Sequence, residues 1–306
     1  MPEILSIFSM IICFGFSGFY AVYAYNKRKD RKTAGNYILN GGFVLLLMML
    51  GIACRFYFPF NRLGFLVTMI FITFAWSGVI LAKCFTSEKS RKIVQYTLAG
   101  LLVLFTIAKL YFLTRWPLIG RLPFNLCHIC VIFIVIQIFY KNKFLDNYIL
   151  CFGVLGAILN YTSGSLFDNI GMDSMGWGFF NMQIFESIML HDLLLMFCVF
   201  MFITKKMNIK RNLSLKNLIW LVPLFVFFIF FNQIFKTDYF FTGFYADTPG
   251  FMKSIYYAMP FRFSAEIGGI SFEFNILHTV VVISLTGLVL FVFSFFAEEI
   301  QKRLHD

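Results

Sequence analysis

Apolar runs, each about long enough to cross a lipid bilayer, follow one another along almost the whole chain, and a basic segment follows every second one. A helix needs about 17–25 apolar residues to span the hydrocarbon core. No water is available there, so every backbone polar group must be satisfied within the structure. Runs at 4–25, 37–59, 64–84, 93–114, 124–140, 145–161, 183–204, 217–235 and 274–297 meet or approach that length. They predict an all-α polytopic membrane bundle of nine helices, or eight if one of the short runs at 145–161 and 217–235 does not cross. The first run lacks a preceding basic region and a following small-residue cleavage site, so it is expected to stay as a membrane helix rather than act as a signal peptide.

Composition agrees with this class: 60% of the 306 residues are hydrophobic and only 13% are charged. The 44 Phe residues suit lipid-facing positions and accompany a general excess of Ile, Lys and Asn, so they do not by themselves indicate an aromatic binding surface. No repeat and no Pro/Ser-rich linker divides the chain, which predicts one transmembrane domain over 1–306.

Charge sets the expected orientation. Lys27, Arg28, Lys29, Arg31 and Lys32 follow the first run; Lys83, Lys89, Arg91 and Lys92 follow the third. Lys141 and Lys143 follow the fifth, and Lys205, Lys206, Lys210, Arg211 and Lys216 the seventh, with Lys302 and Arg303 in the tail. These are most of the 26 basic residues, and the positive-inside rule then puts the N-terminus outside and the C-terminus inside the cell membrane. The net charge of +11 is accounted for by topology and attraction to anionic headgroups, which argues against a nucleic-acid partner.

The long connections at 162–182 and 236–273 both fall on the expected outer side and are rich in Gly and aromatic residues. Trp and Tyr anchor such segments at headgroup depth. Packing over helix ends and a lid that gathers substrate are both open readings for them.

All seven cysteines, Cys13, Cys54, Cys84, Cys127, Cys130, Cys151 and Cys198, lie within or at the ends of the apolar runs, so a disulfide framework is not expected. Cys127 and Cys130 stand three apart on one helix face, with His128 expected to point away from it. A structural zinc site needs four ligands. That set is not in view, and no metal or other cofactor is expected.

Polar side chains inside the runs gather at one depth. Asn125, Cys127 and His128 open one run, and Glu186, His191 and Asp192 lie early in another. Asn232 and Gln233 close a third, Glu273, Asn275 and His278 open a fourth, and Arg55 and Lys109 lie near the same level. Isolated charges in lipid each cost several kcal/mol, so the expectation is a shared interior cavity in the outer halves, with few polar groups in the inner halves. Three readings fit: polar contacts that fix helix register, a transport site using Asp192, Glu186 and the histidines, and an embedded enzyme in which a thiol works beside a base.

The segment Leu122-Pro123-Phe124-Asn125-Leu126-Cys127 resembles the Leu-Pro-x-His-x-Cys opening of the YwaF-like bacterial integral membrane proteins, relatives of eukaryotic transmembrane protein 164. Phe179-Phe180 and the later His191 are similar to that family's aromatic pair and intramembrane His. Phe231-Asn232-Gln233-Ile234-Phe235-Lys236-Thr237-Asp238-Tyr239-Phe240 resembles its Asn-Trp-x-x-Gly-Thr-Asn-Tyr-Met-Tyr segment. The likeness covers 93–297 and leaves 1–92 as an N-terminal extension. It implies a lipid acyltransferase that moves an acyl chain from a phospholipid to a lysophospholipid without a soluble cofactor. Cys127 would be the nucleophile and acyl carrier and His191 the base. Chemistry suggests Asn232 and Asn125 as oxyanion donors. Asn125 stands where bacterial members often carry His, and Lys236 stands where they carry Gly. If the missing His is the base, His128 would have to replace it.

Overall fold

The computed structural model describes residues 75, 77–112, 118–162, 182–237, 239–241 and 256–303. The runs at 4–25 and 37–59, most of 64–84, Arg55 and the Phe179-Phe180 pair lie outside the described residues.

Six long helices account for the remaining apolar runs: α1 (Glu88–Phe112), α2 (Leu126–Tyr140), α3 (Lys143–Thr162), α4 (Met182–Ile203), α5 (Arg211–Phe235) and α6 (Ile276–Arg303). Three of them, α1, α5 and α6, are each long and apolar enough to cross a membrane, and α2 and parts of α3 and α4 form shorter apolar helices. The run expected at 217–235 therefore belongs to a 25-residue helix that starts at Arg211.

The chain divides into two compact units, one of residues up to Phe105 with 153–206, the other of 106–152 with 207–306. In the first unit α4 is buried almost all round from Leu190 to Met201, the pattern of a central helix. Small residues let its neighbours come close. A Cβ on Gly78 would lie 2.8 Å from the Met196 carbonyl, and one on Gly153 would lie 2.5 Å from Cys198 Sγ. Lys206 pairs with Glu88 where α4 gives way to its connection.

In the second unit α5 and α6 run antiparallel and touch where α6 has no side chain, since a Cβ on Gly287 would meet Leu218 Cδ2 at 2.7 Å. The Tyr148 ring of α3 lies edge-on to Phe133 of α2, with centroids 4.7 Å apart. The expectation of an all-α chain needs a correction here. Two antiparallel strands, β1 (Arg262–Ile267) and β2 (Ile270–Asn275), occupy the end of the connection expected as loop at 236–273. Gly268 (φ 61°) and Gly269 (φ 77°) form the two-residue turn between them. Two consecutive positive φ angles match the right-handed strand twist and suit Gly, which has no Cβ to clash.

The expected scarcity of polar groups at the basic end also needs correcting. Asn147, 1% exposed, donates to Lys210 O at 2.8 Å, Ser294 Oγ at 2.8 Å and Ser214 Oγ at 3.3 Å, and accepts from Lys210 N at 3.3 Å. Asp146 accepts from Gln137 Nε2 at 2.6 Å and from Asn208 N at 2.9 Å. Gln301 donates to Met207 O at 2.8 Å and accepts from Ile209 N at 3.2 Å, and Glu298 accepts from Arg211 N at 2.9 Å. Together these side chains satisfy the backbone of the 207–211 connection.

Candidate functional site

The other end of the second unit, where α2 begins and α5 ends, carries the thiol and imidazole. Asn125 is the N-cap of α2: its backbone is extended (φ −67°, ψ 153°) and its carbonyl accepts the Ile129 N–H at 3.0 Å. Its side chain makes no capping bond and the residue is exposed. Cys127 and His128 are thus the second and third helical residues, at the positive end of the helix dipole and among backbone N–H groups that an α-helix cannot bond internally.

Cys127 Sγ lies 3.3 Å from His128 Nδ1, within hydrogen-bond reach. The two residues are 8% and 3% exposed. His128 therefore does not point away from the thiol, as helical spacing had suggested. Adjacent residues leave a helix about 100° apart, but Nδ1 sits close to the ring's attachment point, and side-chain rotation brings it beside the neighbouring sulfur.

Two residues of α5 and its following turn hold the start of α2 in place. Lys236 closes α5 in the left-handed region (φ 56°, ψ 45°), with its N–H on Asn232 O. The Asn232 side chain then knots the turn: Nδ2 donates to Tyr239 O at 2.8 Å, and Oδ1 accepts from Tyr239 N at 2.9 Å and Thr237 Oγ1 at 2.8 Å. Tyr239, 3% exposed, points its hydroxyl at Ile119 O (2.7 Å) and Leu122 O (3.2 Å), the backbone that leads into α2. Burial pushes its phenol well above the ordinary tyrosine range, against the opposing effect of the bond to Leu122, so it acts as a neutral donor. Rings complete the clamp. Phe124 packs on Phe228, Tyr239 and Phe231 with centroids 5.4, 5.5 and 5.6 Å away. Phe240, also left-handed (φ 58°), stacks on Phe228 at 4.8 Å.

The remaining expected polar residues of this unit act mainly on backbone. Gln233 donates to Glu273 O at 2.8 Å and accepts from Glu273 N at 3.2 Å. Asn275 accepts the His278 N–H at 2.9 Å, capping α6, and donates to Tyr256 O and Met259 O at 3.0 and 3.1 Å. His278 is buried beside the Tyr256 ring, 5.2 Å between centroids. His191 and Asp192, 7% and 0% exposed, lie on α4 in the first unit, whereas Cys127 belongs to the second. Glu186 falls within α4.

Apolar helices of this length, with polar side chains spent on satisfying backbone at their ends, define a helical membrane protein. Residues 56–297 match the TMEM164 family, and the chain belongs to that family. The match contains every motif from Leu122 to Phe240 on which the resemblance rests. No curated protein and no solved structure matches the chain.

Proposed function

We propose that the protein is a cysteine-dependent phospholipid acyltransferase of the cell membrane, working in the outer half of the bilayer on phospholipids and lysophospholipids. The observation that carries this reading is the 3.3 Å approach of Cys127 Sγ to His128 Nδ1 in the first turn of α2. A nucleophilic thiol needs a base within hydrogen-bond reach, and glycerol esters lie just below the headgroups, the depth at which a span begins.

The step balances as a two-stage exchange. The Cys127 thiol gives its proton to His128 as sulfur attacks the acyl carbonyl of a phospholipid. Collapse of the tetrahedral intermediate breaks the ester C–O bond. The departing lysophospholipid alkoxide takes the proton from His128, leaving a thioester on Cys127. A second lysophospholipid hydroxyl then loses its proton to His128 and attacks the thioester, the C–S bond breaks, and the departing thiolate takes that proton back from His128 to restore the thiol. The exposed Asn125 amide and first-turn N–H groups of α2 are the donors assigned to the oxyanion. Asn232 serves chiefly by holding Tyr239 against the start of α2. His191, the base by motif correspondence, lies on α4 in the first unit, so the base role is assigned to His128.

The test is acyl transfer from labelled phosphatidylcholine to a lysophospholipid in proteoliposomes. Cys127→Ala should abolish transfer, and His128→Ala should lower it about 100-fold or more. Transfer at the wild-type rate in Cys127→Ala would end the proposal. A loss confined to His191→Ala, with His128→Ala unaffected, would return the base role to α4.

A further inference from the structure

The β1–β2 hairpin is sharply two-faced. Residues directly opposite each other in an antiparallel pair share a face, and the register pairs Phe263 with Phe274, Ala265 with Phe272 and Ile267 with Ile270. One face is therefore wholly apolar. The alternating positions pair Arg262 with Asn275, Ser264 with Glu273 and Glu266 with Ser271, so the other face is wholly polar.

Only half of the apolar face is covered. Phe272 and Phe274 of β2 pack on Phe230 of α5, with ring centroids 6.2 and 5.6 Å away. On β1, Phe263 and Ile267 remain 53% and 62% exposed. This open half continues a surface that already faces lipid: Phe227, Phe230 and Ile234 are 52%, 45% and 43% exposed along one side of α5, a helix long and apolar enough to cross the membrane.

The depth of the hairpin follows from its anchors. Phe230 lies five residues before the end of α5, roughly 7.5 Å along the helix axis at 1.5 Å per residue. The hairpin thus lies beside the last turns of α5 rather than above them. Gln233 fixes it there by bonding both the N–H and the C=O of Glu273. In the ladder set by the Gly268-Gly269 turn those two groups point away from β1, so the Gln233 amide takes the place of a third strand.

We propose that this hairpin is a membrane-interface element that inserts its Phe263–Ile267 face among the acyl chains of the leaflet at the Cys127 end, with Arg262, Ser264 and Glu266 turned to the headgroups. The occupant of the open apolar face is lipid, because that face is continuous with the lipid-facing side of α5 and its opposite face is polar throughout. Gln233 and Asn232 are consecutive, so the residue seating the hairpin in lipid adjoins the one that holds the start of α2.

The experiment uses the full chain in nanodiscs, with single added cysteines at Phe263→Cys, Ile267→Cys, Ser264→Cys and Glu266→Cys, each labelled with an environment-sensitive fluorophore. Unmodified protein, treated identically, supplies the background from its own cysteines. Labels at 263 and 267 should be quenched by lipids carrying a nitroxide on the acyl chain at least about twice as strongly as labels at 264 and 266, and the order should reverse with aqueous iodide. Gln233→Ala should weaken that contrast. Equal iodide access at all four positions would overturn the proposal by placing the hairpin in water. Shielding of 263 and 267 from both quenchers would overturn it in favour of a second copy of the chain. Neither readout depends on acyl transfer, so its result stands apart from that of the proposed activity.

Discussion

The two ends of the second unit use the same device to different effect. At the basic end, Asn147 and Gln301 bond backbone N–H and C=O groups of the 207–211 connection. At the other end, Asn232, Gln233 and Asn275 do the same for residues 239, 273, 256 and 259. An amide side chain copies the donor and acceptor of a peptide, so it can satisfy a connection at a helix end where a ladder cannot form. The Cys127 end adds a thiol and an imidazole 3.3 Å apart. Among the described residues of this unit, the amides near helix ends bond backbone, and the pair at α2 stands out by its chemistry rather than its depth.

The largest expected effect separates these roles. Cys127→Ala should remove acyl transfer while changing unfolding free energy in mixed micelles by less than about 1 kcal/mol, since a small residue replaces another of similar packing volume. Asn147→Ala should behave in the opposite way. It leaves buried backbone and hydroxyl partners unpaired and should cost about 2–3 kcal/mol of stability, read as a lower unfolding midpoint, with residual transfer in the folded fraction unchanged. If Asn147→Ala cut transfer in folded protein as deeply as Cys127→Ala, the division between the ends would fail.

Asn232→Ala should fall between the two. Loss of the bonds to Tyr239 and Thr237 should cost about 2 kcal/mol, and the loosened start of α2 should lower transfer roughly tenfold. Tyr239→Phe is the milder form. It removes only the hydroxyl aimed at Ile119 O and Leu122 O, and should cost about 1 kcal/mol with a smaller loss of transfer. The smallest expected effect has the opposite sign. Lys236 holds a left-handed backbone at the end of α5, a conformation that costs a side-chain-bearing residue about 1 kcal/mol. Lys236→Gly should raise stability by about 0.5–1 kcal/mol, seen as a higher unfolding midpoint.

Much of the helical layout was legible because the membrane imposes length and polarity together. The runs at 124–140, 145–161 and 183–204 fall within one or two residues of α2, α3 and α4. The hairpin was written as clearly, in the Gly268-Gly269 pair flanked by alternating Phe263, Ala265, Ile267 and Ile270, Phe272, Phe274. Its period of two escapes a reading tuned to long apolar windows, because the charged residues of the polar face dilute every such window. Asp146 and Asn147 were hidden for a related reason. They begin a short run, where polar residues look like solvated connection, and only folding shows that the 207–211 backbone covers them.

The site was legible in parts. Residue types at Asn125, Cys127 and His128 were visible as an anomaly in apolar sequence, but the close contact of neighbouring residues depends on side-chain rotation, which spacing does not encode. Asn232 was visible as a motif residue, yet its work on Tyr239 requires the left-handed turn at Lys236, and a Lys at that position gives no local sign of one. The φ of 56° at Lys236 is a backbone conformation that suits Gly better than Lys.

The most direct test of the central claim is mass spectrometry of the protein after incubation with phosphatidylcholine carrying a deuterated acyl chain and rapid acid quenching. One deuterated acyl group per chain is expected on the peptide containing Cys127, released by neutral hydroxylamine and absent from Cys127→Ala. A protein that carries no acyl group on Cys127, or acquires the same adduct when Cys127 is replaced, would contradict it.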